Sequence, residues 1–128
     1  YRRSIDSDPG FLDPYMRLAE IARMRGHHRV ALTYYKNLSD RYPGLVILHQ
    51  EMALVYDLMG ETDKAEKELL LTIEISPGNA SLRNQLAGFY LEKGRKQEAI
   101  VQFEESLRIN PGDKKIQLRL ERVRPDGR

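Results

Sequence analysis

The stretch PGLVILHQEMALVYDLMGETDKAEKELLLTIEISPG, residues 43–78, opens and closes on the same dipeptide. Between the two Pro-Gly pairs lie two apolar series of helical period. Leu48, Met52, Val55 and Met59 form the first, and Ala65, Leu69, Ile73 and Ile75 carry the second. Gly60 divides them, where the end of a helix calls for a left-handed residue. Thr62 is then expected to cap the second helix, and Pro77-Gly78 to stop it. The stretch predicts a helix, a tight turn and a second helix.

The same punctuation recurs on both sides. Pro9, Pro43, Pro77 and Pro111 stand 34 residues apart, and each is followed by glycine (Gly10, Gly44, Gly78, Gly112). Gly26, Gly60 and Gly94 keep the same interval. Seven of the nine glycines and four of the six prolines share this register, which makes it an internal repeat and not a coincidence. Small residues repeat as Ala19, Ala53 and Ala87, and again as Ala31, Ala65 and Ala99. Large ones repeat as Leu18, Met52 and Leu86, and as Tyr1, Tyr35, Leu69 and Phe103. Small side chains let two helices cross closely, and the large columns interlock around the crossing. The units run over 12–45, 46–79 and 80–113 without insertion. One such helix pair cannot bury its apolar face alone; stacking on neighbours does so, and about three units suffice.

These columns resemble the tetratricopeptide repeat family over essentially the whole chain. The matching features are Tyr15, the Leu18/Met52/Leu86 and Ala19/Ala53/Ala87 columns, Tyr56 and Tyr90, the turn glycines, the Ala31/Ala65/Ala99 column and the closing prolines. There are departures. His49 and Arg83 stand where the family often has an aromatic, Ala22 replaces the tyrosine of Tyr56 and Tyr90, and Leu38 and Thr72 occupy a usually small position. The resemblance implies an all-α fold: a right-handed helical repeat solenoid of antiparallel helix pairs, a superhelix whose concave face is lined by the first helix of each unit.

The two ends differ. Residues 1–11 fit the register of the end of an earlier second helix, so a further repeat is expected upstream of Tyr1. Over 114–128, Asp113 is expected to cap a closing helix carrying Ile116, Leu120 and Val123. Glu121 falls in the alanine column and Arg124 in the column of Tyr56 and Tyr90, as on a terminal helix with a polar outer face. Pro125 is expected to end that helix before a frayed tail.

Composition excludes several classes. At 41% hydrophobic and 31% charged residues, the chain suits a folded helical protein, not a disordered one. A formal net charge of +2 gives no general attraction to nucleic acid or to an anionic membrane. With no cysteine there are no disulfides or thiolate metal sites. No apolar run approaches the length of a membrane span. The sequence does not fix the compartment: the cytoplasm is favoured, with periplasmic or membrane-tethered placement open through regions outside this sequence.

Catalytic and cofactor chemistry finds no support. His27 and His28 are neighbours in a turn and His49 is distant, whereas helical metal sites place ligands at i and i+4. Carboxylate pairs such as Glu104 with Glu105, and Glu66 with Glu68, belong to solvated helix faces. Every glycine except Gly88 and Gly127 belongs to the repeat turns, which leaves no phosphate-cradling loop, and Gly-x-Ser-x-Gly is absent. No catalytic residue, metal, cofactor or small-molecule substrate is expected.

Binding is expected on the first-helix faces that the packing columns leave over. These carry Met16, Arg17, Glu20, Arg23 and Met24 in the first unit, and Ile47, Gln50, Glu51, Leu54 and Leu58 in the second. Asn84, Gln85, Gly88 and Leu91 follow in the third, with Arg119 on the closing helix. Ile47, Leu54, Leu58 and Leu91 are apolar without being required by the repeat. Such a strip with a polar rim marks a protein-binding surface; the alternative is that these residues pad helix contacts. Gly88 costs its helix about 1 kcal/mol relative to alanine. Either it admits the backbone of a ligand or it is tolerated drift.

A co-chaperone subclass of the family clamps a terminal carboxylate with Lys and Asn on the first helix, Asn on the next, and Lys and Arg on the third. The corresponding residues here are Met16, Glu20, Glu51, Ser81 and Gln85, none of which matches. One repeat on they are Gln50, Leu54, Gln85, Lys115 and Arg119, of which only the last two match. Chaperone-tail binding is therefore not expected.

The expectation is a non-enzymatic scaffold that binds a peptide or helix segment of a partner protein in the concave groove. Self-association through the packing edge near Tyr1 and Ile5 is the alternative. Nucleic-acid binding ranks last: Lys114, Lys115, Arg119, Arg122, Arg124 and Arg128 make the end basic, but no aromatics interleave them.

Overall fold

A computed structural model describes residues 9–124, with side chains from Pro14 onward. The described residues form seven helices and no strand: α1 Pro9–Met24, α2 His28–Arg41, α3 Val46–Leu58, α4 Thr62–Ile75, α5 Ala80–Glu92, α6 Lys96–Ile109 and α7 Lys114–Val123. Two compact units divide the chain, 1–71 and 72–128. In the first, α1 packs on α2 and α2 on α3; in the second, α5 packs on α6 and α6 on α7.

The turn within each helix pair is the same device three times. The N–H of Gly26 donates to the carbonyl of Arg23, and that of His27 to Ala22; Gly60 and Glu61 donate to Asp57 and Tyr56, and Gly94 and Arg95 to Leu91 and Tyr90. These paired bonds close a helix end only if the glycine is left-handed, and its φ is +82° at Gly26, +80° at Gly60 and +75° at Gly94. The chain then starts the next helix at once. Residues 27, 61 and 95 each accept the first helical bond, from Ala31, Ala65 and Ala99 respectively. Glu61 is thus the residue that precedes the helix, and Thr62 is its first helical residue rather than its cap. The two-bond glycine turn fixes the start one position earlier than the hydroxyl suggested.

Between units the chain uses Pro-Gly. The amide of Leu45 donates to the carbonyl of Tyr42 across Pro43-Gly44, and Asp113 donates to Asn110 across Pro111-Gly112. Proline presets φ at the second position of such a turn. Asn79 and Asp113 then cap the helices that follow. Asn79 accepts from the amide of Ser81 at 3.0 Å, and Asp113 from that of Ile116 at 3.3 Å.

The alanine columns are buried throughout: Ala19, Ala53 and Ala87, and Ala31, Ala65 and Ala99. Tyr35, Leu69 and Phe103 fill one large column, and Leu38, Thr72 and Ser106 a second. Leu18 departs from its column. It is 43% exposed where Met52 and Leu86 are buried. Met52 lies on α3, a helix covered by α2. The expectation of an earlier second helix at 1–11, and the tail at 126–128, fall on or largely on residues outside those described.

Candidate functional site

The surface is built from helix faces that the core leaves free. On α3, Leu48, Met52 and Val55 are buried, whereas Ile47, Leu54 and Leu58 remain 43%, 40% and 54% exposed. Spacings of seven and four residues put those three on one stripe. On α1, Met24 is exposed, as are Arg17 and Glu20, and Met16 is half-buried. Gln50 and Glu51 are half-buried. In the second unit, Gln85 and Arg119 are exposed, while Asn84 is half-buried. Leu91 is also half-buried, so Met24, and not Leu91, joins Ile47, Leu54 and Leu58 among the exposed apolar residues of these faces.

In the first unit a polar cluster lies among these residues. The Tyr35 hydroxyl donates to Glu51 Oε1 at 3.3 Å, and Arg23 Nε stands 3.8 Å from the same oxygen. Burial, followed by the negative charge of Glu51, pushes the Tyr35 hydroxyl up to about 12; Arg23 opposes both. Sequence reasoning places Arg23 and Glu51 on the face but reads Tyr35 only as a packing residue. The available signal is its hydroxyl, which Leu69 and Phe103 lack in the same column.

The same register carries the opposite charge in the second unit. Phe103 corresponds to Tyr35 and Arg119 to Glu51, and the Arg119 guanidinium lies over the Phe103 ring at 5.0 Å. Arg119 also borders Gly88. A Cβ added to that glycine would stand 3.8 Å from Nη2 of Arg119, an ordinary contact, with no other heavy atom as near. At the basic end, Arg124 bonds to Glu104 at 2.8 Å and Arg108 to Glu105 at 2.9 Å.

One position within each helix pair takes three chemistries. Tyr15 and Tyr34 meet as tilted rings, 6.0 Å between centroids. One repeat on, His49 Nδ1 and Glu68 Oε1 are 2.7 Å apart. One further repeat on, Arg83 Nη1 donates to Gln102 Oε1 at 3.3 Å. Where His49 and Arg83 depart from the usual aromatic, their partners on the second helix have changed with them. Among the described residues, no group of three or more His, Asp or Glu side chains is arranged to hold a metal ion.

Comparison with known proteins gives consistent results. Tetratricopeptide repeat models match residues 15–44 and 80–113. The anaphase-promoting complex subunit CDC16 of Saccharomyces cerevisiae is 25% identical over 93 residues, which is 73% of this chain. The match spans 11% of that protein's length. Among solved structures, TTC0263, a thermophilic TPR protein of Thermus thermophilus, superposes with a TM-score of 0.74 at 29% identity, covering 95% of this chain and 68% of that one. The first TPR of Spaghetti (RPAP3), bound to the HSP90 peptide SRMEEVD, gives 0.66 at 16% identity over 85% and 86% of the two chains. The Yersinia enterocolitica type III secretion chaperone SycD, in complex with a peptide of the translocator YopD, gives 0.72 at 15% identity over 89% and 92%. At those last two identities the likeness is one of fold.

Proposed function

Since the chain belongs to the tetratricopeptide repeat family, we propose that it is a non-enzymatic scaffold whose first-helix faces hold a peptide or helical segment of a partner protein. The observation that carries this is the exposed stripe of Ile47, Leu54 and Leu58 on α3, a helix whose other face is fully committed to the core. Exposed apolar side chains on a face that the fold does not need are what a partner segment would bury. Leu54 and Leu58 are the apolar anchors, with Arg17, Gln50, Asn84, Gln85 and Arg119 as polar contacts. Met16, Glu20, Met24 and Ile47 belong to the same faces in the first unit, and Leu91 to that of the second. Two relatives of the same fold were captured with a peptide of another protein, which supports the class of ligand. In neither register is the carboxylate clamp of the co-chaperone subclass complete, with only Lys115 and Arg119 matching in one of them, so a chaperone tail is not the expected segment.

Affinity purification from cell extract tests this, with the Leu54→Glu/Leu58→Glu variant beside the wild type. We expect a partner retained by the wild type alone, with equal helicity and melting for both. Retention of the same partner by both proteins would refute the assignment of the surface.

Self-association is the second reading. Tyr15, Leu18 and Ile21 on α1 are each about two-fifths exposed, and a second copy could cover them. Light scattering across a concentration series decides: a mass that stays monomeric removes this reading.

A further inference from the structure

The first unit contains a concavity of about 320 Å³ that shares no residue with the first-helix surface. It lies where α2 faces the end of α3 and the start of α4. Its walls carry Arg29 and Lys36 from α2 and Lys64 from α4, with Glu61 as the one carboxylate. Leu32 and Tyr56 line it as buried residues, and the Lys64 ammonium stands 5.9 Å from the centroid of the Tyr56 ring.

Three cations around one small cleft repel each other, and other cations of this protein are neutralised in place. Arg95 pairs with Glu98, Arg108 with Glu105 and Arg124 with Glu104. Arg29, Lys36 and Lys64 have no ion pair among the described residues. The repeat does not demand them either. One repeat further along the sequence, Asp63, Leu70 and Glu98 hold the positions of Arg29, Lys36 and Lys64, while the tyrosine is kept as Tyr90. The aromatic therefore recurs with the repeat, and the three charges do not.

We propose that this cleft is a binding site for an anionic group on an apolar stem, a carboxylate or phosphate carried by a peptide side chain. Leu32 and Tyr56 take the stem, and Arg29, Lys36 and Lys64 close on the charge. Arginine supplies a planar fork for two oxygens, and the two lysines supply mobile point charges. The proposal does not depend on the function of the first-helix surface.

The test is an NMR titration of the intact chain at low salt with three probes: phenyl phosphate, phenylpropionate and inorganic phosphate. Expected are saturable amide shifts confined to Thr33, Lys36, Tyr56 and Lys64 and their neighbours, with either stemmed probe binding more tightly than inorganic phosphate. The tighter of the two identifies phosphate or carboxylate as the natural group. Lys36→Gln/Lys64→Gln should weaken that binding by about tenfold, the worth of two charge-assisted contacts at a partly exposed site. Arg29→Gln, a separate single change, should weaken it as well. Shifts spread evenly over all lysines, or an affinity unchanged in a folded double variant, would overturn the proposal.

Discussion

Gly88→Ala is expected to stabilise the protein. Gly88 is inside α5, and its φ is not in the left-handed region, so alanine fits the backbone unstrained. Replacing a mid-helix glycine by alanine is worth about 1 kcal/mol, because the unfolded chain loses freedom that glycine alone possesses. The added methyl meets only the Arg119 guanidinium, at 3.8 Å, so no repulsion offsets that gain. A rise in Tm of about 4 °C follows for a chain of this size. Thermal unfolding by circular dichroism measures it. Gly94→Ala is the control, since a φ of +75° makes the same methyl a strain there, and that variant should lose about 1 kcal/mol. A fall in Tm for Gly88→Ala would refute the argument. A rise in Tm with weaker partner binding would show that a ligand backbone passes over this glycine; a rise with unchanged binding would make the glycine drift.

Two further outcomes are expected. With its hydroxyl raised from 10.0 to about 12, Tyr35 is held neutral by the fold; its contribution to stability is full below pH 10 and lost as pH climbs through 12. Denaturant unfolding at stepped alkaline pH should show this decline, and Tyr35→Phe should flatten it. Asp113→Ala removes the bond to the Ile116 amide and should cost about 1 kcal/mol, seen as faster hydrogen exchange within α7 and unchanged exchange in α1 to α3.

The fold is legible because its punctuation is chemical. Pro43-Gly44, Pro77-Gly78 and Pro111-Gly112 follow helix ends, whereas Pro9-Gly10 opens α1, and Gly26, Gly60 and Gly94 are required at left-handed positions that other residues enter at a cost. The alanine columns are legible because close helix crossing tolerates little else. The start of α4 differs by one residue from the expected one, since the glycine turn sets the helix start and the hydroxyl of Thr62 does not. Less of the surface is legible. Whether a leucine on an amphipathic helix stays exposed depends on how the neighbouring helix crosses it, and Leu54 and Leu91 look alike in the sequence. The Tyr35–Glu51–Arg23 cluster draws on three helices, and no local pattern announces it. The cations of the cleft behind Tyr56 stand on two helices, 35 residues apart at the extremes, and come together only in the folded unit.

A chain made of near-copies faces an ambiguity that a chain of unlike parts does not: any first helix has several second helices of almost the right shape to choose from. The position shared by Tyr15 and Tyr34, His49 and Glu68, and Arg83 and Gln102 bears on that choice. If His49 met Tyr34, Glu68 would be left half-buried with no imidazole, at a cost of about 1–3 kcal/mol for a stranded polar group. If Arg83 met that same tyrosine, Gln102 would forfeit its donor. Like teeth cut differently on otherwise identical keys, the three pairs would penalise a helix that met its neighbour's partner, within one chain or between two, where exchange of elements is a characteristic fault of repeat proteins.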